Sequence, residues 1–170
     1  IAAIKESAHY NSELQGEDVG RGVALGFWFN GGMESSSSAT VNPDGSVSLI
    51  LGSTDIGGTR ASLAMQLAET LGIPFEAVKP QVVDTDSVGY TAVTGGSRTT
   101  FAGGWVAYDL GQEIRKRLTE RAARIWGVDA LTLTYNEDAT ITGTDKDGKE
   151  QRFTFEQLCG RLPSTGGHIA

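Results

Sequence analysis

A chain of 170 residues with 39% hydrophobic residues can form one domain, or one and a fraction, around a substantial core. A net charge of −7, with lysines and arginines scattered or confined to one helix, excludes the concentrated basic face that nucleic acid requires. No apolar stretch reaches the length of a membrane span, and the single cysteine, Cys159, excludes an internal disulfide or a cysteine-based metal site; a cytoplasmic, reducing compartment is expected.

The chain runs directly into AAIKESAHYN, a helix-like segment with no start signal, and no repeat of fixed period follows. The opening on Ile1 and the close on PSTGGHIA, just past a turn signal, suggest an excised piece of a longer protein. Residues 19–29 (VGRGVALGFWF) mix glycines with aromatic and β-branched residues and predict a buried strand, with two of Phe27, Trp28 and Phe29 in the core. A hairpin is expected next. Residues 35–41 and 46–51 flank Asn42-Pro43-Asp44-Gly45, where proline and glycine supply the backbone angles of a tight turn.

The second hairpin strand leads into a glycine loop and helix at residues 53–63 (STDIGGTRASL). Leu63, Ala64, Leu67, Ala68 and Leu71 recur at helical spacing, with Thr59 as the expected cap and Gly72 as the stop. Ile73-Pro74 turns the chain, residues 78–83 predict a strand, and a second glycine loop fills residues 84–104 (DTDSVGYTAVTGGSRTTFAGG). Each loop follows a β-like run and opens a helix, so main-chain N–H groups at two helix starts can converge on one anion or cofactor.

The longest helix follows, with Val106, Leu110, Ile114, Leu118, Ala122 and Ile125 on one face and Gly127 at its end. Its Arg115, Lys116, Glu120, Arg121 and Arg124 read as a solvated face. Residues 131–135 and 139–142 predict two short strands, Asp145-Lys146-Asp147-Gly148 a surface turn, and residues 153–158 a last helix capped by Thr154. The fold class is therefore α/β (α+β) in two layers, a mixed β-sheet packed by two main helices, within a single partial domain whose core spans about residues 19–142.

Neither loop meets the requirements of a familiar phosphate motif. GGTRAS and GGSRTT both lack the lysine of a Walker loop, and Gly57-Gly58 lacks the third glycine of a dinucleotide fingerprint. What remains is small residues that allow close main-chain approach, with the hydroxyls of Thr59, Ser97, Thr99 and Thr100 and the guanidinium of Arg60 or Arg98 alongside. Asp84 and Asp86 read as turn formers or caps. His9 and His168 lack companions at metal-ligand spacing, and Cys159 reads as a small buried apolar residue.

Taken together, STDIGGTRASLAMQLAETLGIP, the Asp84-Thr85-Asp86 element and Thr94-Gly95-Gly96-Ser97-Arg98-Thr99-Thr100 resemble the molybdenum cofactor-binding (large) subunit of the xanthine dehydrogenase and aldehyde oxidase family. Carbon monoxide dehydrogenase large subunits share the Gly-Ser-Arg element. The resemblance extends from GRGVALGFWFNGG through NPDGSVSL to TGGHIA, nearly the whole chain.

The resemblance implies an interior portion of a molybdopterin-binding domain. The parent would be an oxidoreductase that hydroxylates aldehydes, N-heterocycles or related carbons with water as oxygen source. Its cofactor would be molybdenum-molybdopterin, plain or as the cytosine dinucleotide, with iron–sulfur clusters and FAD on partner subunits or domains. The implied cofactor contacts are Ile56, Gly57, Gly58 and Thr59 in the first loop and Gly95, Gly96, Ser97, Arg98 and Thr99 in the second. Where many members have Gly-Gln-Gly, this chain has Gly57, Gly58 and Thr59, so either Thr59 or Arg60 replaces the amide or the grip differs.

The family's catalytic glutamate falls beyond Ala170, so no catalytic residue and no metal ligand is assigned within these residues. The isolated piece is expected neither to hold the cofactor tightly nor to turn over substrate, and to self-associate through surfaces bared by the cut. A non-catalytic nucleotide- or anion-binding, or assembly, module of the same fold is the alternative.

Overall fold

The computed structural model describes residues 1–82 and 85–170; Val83 and Asp84, the expected strand end and loop start, lie outside the described residues. Two short helices, α1 (Ala2–Glu6) and α2 (Ala8–Asn11), break at Ser7 and bury no residue. The hairpin strands are β1 (Ser37–Val41) and β2 (Val47–Leu51), paired antiparallel with Val41 opposite Val47. The turn closes as the sequence specifies: Asn42 N–H donates to Ser46 O at 2.8 Å, and Gly45 takes φ 82°.

Helix α3 (Thr59–Leu71) carries the chain from β2 to the parallel strand β3 (Val78–Val82), giving a mixed sheet of order β1-β2-β3. Pro80 is accommodated because β3 is an edge strand. Alternation along β2 sends Val47, Leu49 and Leu51 to the helix-covered face, each at most 2% exposed. Leu63, Leu67 and Leu71 of α3 meet them, and each such burial contributes about 2 kcal/mol.

The 28-residue α4 (Thr99–Trp126) packs along α3. Its buried N-terminal half is unusually small: Ala102, Gly103, Gly104, Ala107 and Gly111 are buried, the three glycines against α3, and larger Ile114 and Leu118 take over further along. The reason is close approach. A Cβ on Gly111 would stand 2.5 Å from Thr70 Cγ2, and one on Gly104 would stand 2.0 Å from Gln66 Oε1. Gly72 ends α3 at φ 73° and Gly127 ends α4 at φ 70°, both as the sequence specifies. No described helix is long and apolar enough to cross a membrane.

A second antiparallel sheet, order β4-β5-β6, is built from β4 (Thr134–Tyr135), β5 (Thr140–Thr144) and β6 (Glu150–Thr154). Its third strand has no counterpart in the sequence reading, because EQRFT carries one large apolar residue. That residue, Phe153, stacks on Trp126 at 5.0 Å between ring centroids. Residues 130–132 form a 3-10 turn where a strand was expected, and the last helix, α5, is Phe155–Cys159. Thr154 caps α5 with a reciprocal bond from Gln157, a full capping box.

Three further expectations are corrected. Residues 19–29 form no strand: Phe27, Trp28 and Phe29 are 91%, 71% and 57% exposed, so none belongs to the core. Among the described residues, no main-chain group of residues 22–29 has a hydrogen bond, and strand propensity without a neighbouring strand does not order a chain. Thr59 is the first helical residue of α3, with Gly58 at the cap, because Gly58 adopts φ 86°. The basic face of α4 is divided: Arg121 is 8% exposed and donates to Gly167 O at 3.0 Å and Thr165 Oγ1 at 3.2 Å, and Arg115 lies over the Tyr135 ring.

The helix interface sets a clear expectation. Gly111→Ala gains roughly 1 kcal/mol of helix propensity but forces Thr70 aside at a cost of about 1–3 kcal/mol, so the variant should unfold at lower urea concentration than wild type. A raised midpoint would refute close packing there.

Candidate functional site

The two glycine loops lie at the same end of the sheet. Thr54 Oγ1 of the first stands 3.4 Å from Thr94 Oγ1 of the second. A third segment, residues 30–36, joins them: Gly31 N–H donates to Gly96 O at 2.8 Å, and Asn30 Nδ2 donates to Ser97 O at 2.8 Å. Ala92 N–H donates to Glu34 O, Ser36 N–H to Thr91 Oγ1 and Gly52 N–H to Ser36 O, each at 3.0 Å. The sequence reading did not assign this strap to the site, although its Asn-Gly-Gly is a turn signal.

The helix starts behind the loops differ in what they offer. At α3 the first two orphan donors are engaged: Thr59 N–H donates to Ile56 O at 3.2 Å and Arg60 N–H to Asp55 Oδ1 at 3.0 Å. The Asp55 carboxylate therefore occupies the position an external anion would take. That main-chain bond is the largest influence holding its pKa below the usual carboxylate range; the Arg60 guanidinium, 3.1 Å away, lowers it further. Thr59 Oγ1 accepts from Ile56 N–H at 3.1 Å, so the side chains of Thr59 and Arg60 are both engaged within their own loop.

The start of α4 is open. No side chain caps it, and among the described residues the N–H groups of Thr99, Thr100 and Phe101 have no hydrogen bond. Gly96 and Ser97 turn the chain at φ 63° and φ 56°, and Ser97 thereby holds a left-handed conformation unusual outside glycine. Gly95 faces open space, as do Gly57 and Gly58, and Ile56 is 51% exposed.

Arg98 points inward. It is 1% exposed, and its guanidinium donates to Ala92 O at 3.0 Å and Glu34 O at 2.7 Å, and also to Gly32 O, Met33 O and Ser35 Oγ. Of the nine expected contacts, Ile56, Gly57, Gly58, Gly95, Gly96 and Ser97 lie on the outer side of two loops that meet at Thr54 and Thr94, whereas Thr59, Arg98 and Thr99 are buried. Beside Ser97, a groove of about 640 Å³ runs between α3 and α4, lined by Gln66, Thr100, Phe101, Trp105 and Tyr108.

Open main-chain donors at a helix start, hydroxyls and uncovered glycine faces fit the phosphate and polar edge of a pterin cofactor. Among the described residues no three His, Cys, Asp or Glu side chains gather at ligating distance, and His9 and His168 are exposed. Cys159 is fully buried, and that burial pushes its thiol pKa up to about 12.

The model of the molybdopterin cofactor-binding domain matches residues 2–168, and the chain belongs to that family. In fold it is similar to the Cu,Mo-CO dehydrogenase in its carbon monoxide-reduced state, at 24% identity and TM-score 0.67 over 79% of this chain and 18% of that one. Reconstituted CO dehydrogenase from Oligotropha carboxidovorans gives 23% identity and TM-score 0.66 over 81% and 18%. Quinoline 2-oxidoreductase from Pseudomonas putida 86 gives 20% identity and TM-score 0.61 over 76% and 16%. The chain thus spans less than a fifth of these solved relatives, and no curated protein matches it.

Two expectations follow from the site's chemistry. Cys159 in the native chain should resist an aromatic disulfide reagent and react fully once urea unfolds the protein; rapid native labelling would contradict its burial. Asp55 has a depressed native pKa, so its stabilisation is complete above the usual carboxylate range and lost as pH falls through the depressed value. The melting-temperature difference between wild type and Asp55→Asn should therefore shrink from about pH 6 to about pH 3. A constant difference would remove the carboxylate from the helix start.

Proposed function

We propose that this chain forms part of the cofactor-holding domain of a molybdenum hydroxylase large subunit. The open start of α4 behind Gly95–Gly96–Ser97 is the observation that carries the reading, because it presents unpaired N–H donors where a dianionic tail would bind. The hydroxyls of Ser97 and Thr100, with the main-chain N–H of Thr99, would hold the pterin phosphate or its cytosine dinucleotide extension. Ile56, Gly57 and Gly58 would face the pterin from the first loop, with Thr59 fixing that loop from behind. Arg98 would support the second loop from within.

When bound, the group supplies two-electron redox chemistry for hydroxylating an aldehyde, N-heterocycle or related carbon with oxygen from water. These residues contribute binding and orientation, and the base that moves the proton is assigned to other parts of the subunit. Electrons would pass to iron–sulfur clusters and FAD on partner subunits or domains, in a cytoplasmic enzyme.

The Asp55 carboxylate at α3 favours a second reading, a module of the same fold that binds an anion at the second loop alone or serves assembly. The two readings separate on the polypeptide at its natural length, purified and analysed for molybdenum and for pterin fluorescence after acid oxidation. Near-stoichiometric metal and pterin are expected; absence of both from correctly folded protein would favour the assembly module. The isolated 170 residues should neither retain molybdopterin tightly nor hydroxylate substrate, and should associate in sizing experiments as concentration rises. Tight retention or turnover would refute the first of these expectations, and a monomer at every concentration would refute the second.

A further inference from the structure

We infer that Arg98 is a positioning residue: its buried guanidinium holds the strap of residues 30–36 against the second loop and thereby sets the ligand-facing main chain of Gly95–Ser97 without touching the ligand. The inference rests on the reading of the second loop as an anion site. It goes further in assigning Arg98 a different task and in adding the strap to the machinery.

The geometry supports this in three ways. First, the acceptors of Arg98 belong to two separate segments, Gly32, Met33, Glu34 and Ser35 on the strap and Ala92 on the loop, so one side chain fastens both. At 1% exposure it has no face left for solvent or ligand. Second, the strap returns the contact to the turn itself, through Gly31 N–H to Gly96 O and Asn30 Nδ2 to Ser97 O, both 2.8 Å. Third, that turn contains a serine at φ 56°, a conformation that persists only where the surroundings fix it. The planar, five-donor fork of arginine suits acceptors spread over several carbonyls, and the compact ammonium of lysine does not.

The role can be measured on the chain by amide NMR. In Arg98→Lys, the amides of Gly31 and Ala92 should exchange at least about tenfold faster than in wild type, with Leu49 and Leu118 in the core unchanged. Inorganic pyrophosphate, titrated as the probe, should shift the Thr99, Thr100 and Phe101 amides, and Arg98→Lys should weaken its binding about tenfold although the charge is kept. Asn30→Ala, an exposed change that leaves the core intact, should produce the same local pattern to a smaller degree and covers the case in which Arg98 variants do not fold.

Wild-type exchange in both variants would overturn the positioning role. So would faster exchange with undiminished pyrophosphate affinity in Arg98→Lys, because the fastening would then be unrelated to binding. Failure of wild type to bind pyrophosphate would overturn instead the anion reading on which the inference rests.

Discussion

The close approach of α3 and α4 is the constraint on which the rest of the structure depends. Gly103 and Gly111 let the α4 backbone settle against Leu63 and Thr70, and this fixes the two helices as one layer over the mixed sheet. Both helices begin at the same end of that layer. The glycine loops that precede them are therefore neighbours in space, although their helices start forty residues apart, at Thr59 and Thr99. A looser interface would leave each loop well formed and separate the pair.

From that placement follows a division of labour that loop composition alone does not express. The first loop engages the first two donors of its helix within the loop itself, one of them through Asp55, and the second leaves its helix start uncapped. Both have paired glycines followed by a hydroxyl-bearing residue and an arginine nearby. The difference lies in side-chain direction: Arg60 points outward to Asp55, and Arg98 points inward to carbonyls. A buried cation surrounded by main-chain oxygens is tolerated because each guanidinium nitrogen has a partner, and what it stabilises is a loop conformation more than a fold.

Much of the fold was legible in the sequence. The hairpin turn, the Gly72 and Gly127 stops, the helical spacing of Leu63 to Leu71 and the Thr154 cap are all local signals, and each operates as physical chemistry dictates. The misreadings share a cause. Residues 19–29 carry strand propensity and EQRFT does not, yet β6 forms because β5 offers a pairing edge, while the first segment meets none. In the site, the glycines and the hydroxyls were readable as residue types. The strap and the inward course of Arg98 were not, because they depend on contacts more than sixty residues apart in sequence.

Pro80 closes the account of the main sheet. It sits on β3, the outer strand on one side, and removes a donor from that border; on the other side Ile169 O accepts from Val41 N–H at 2.8 Å and covers one end of β1. A sheet with one border short of a donor and the other partly covered is a poor template for further strands. Pairing of a further strand is thereby disfavoured at Pro80 on one border and at Val41 on the other.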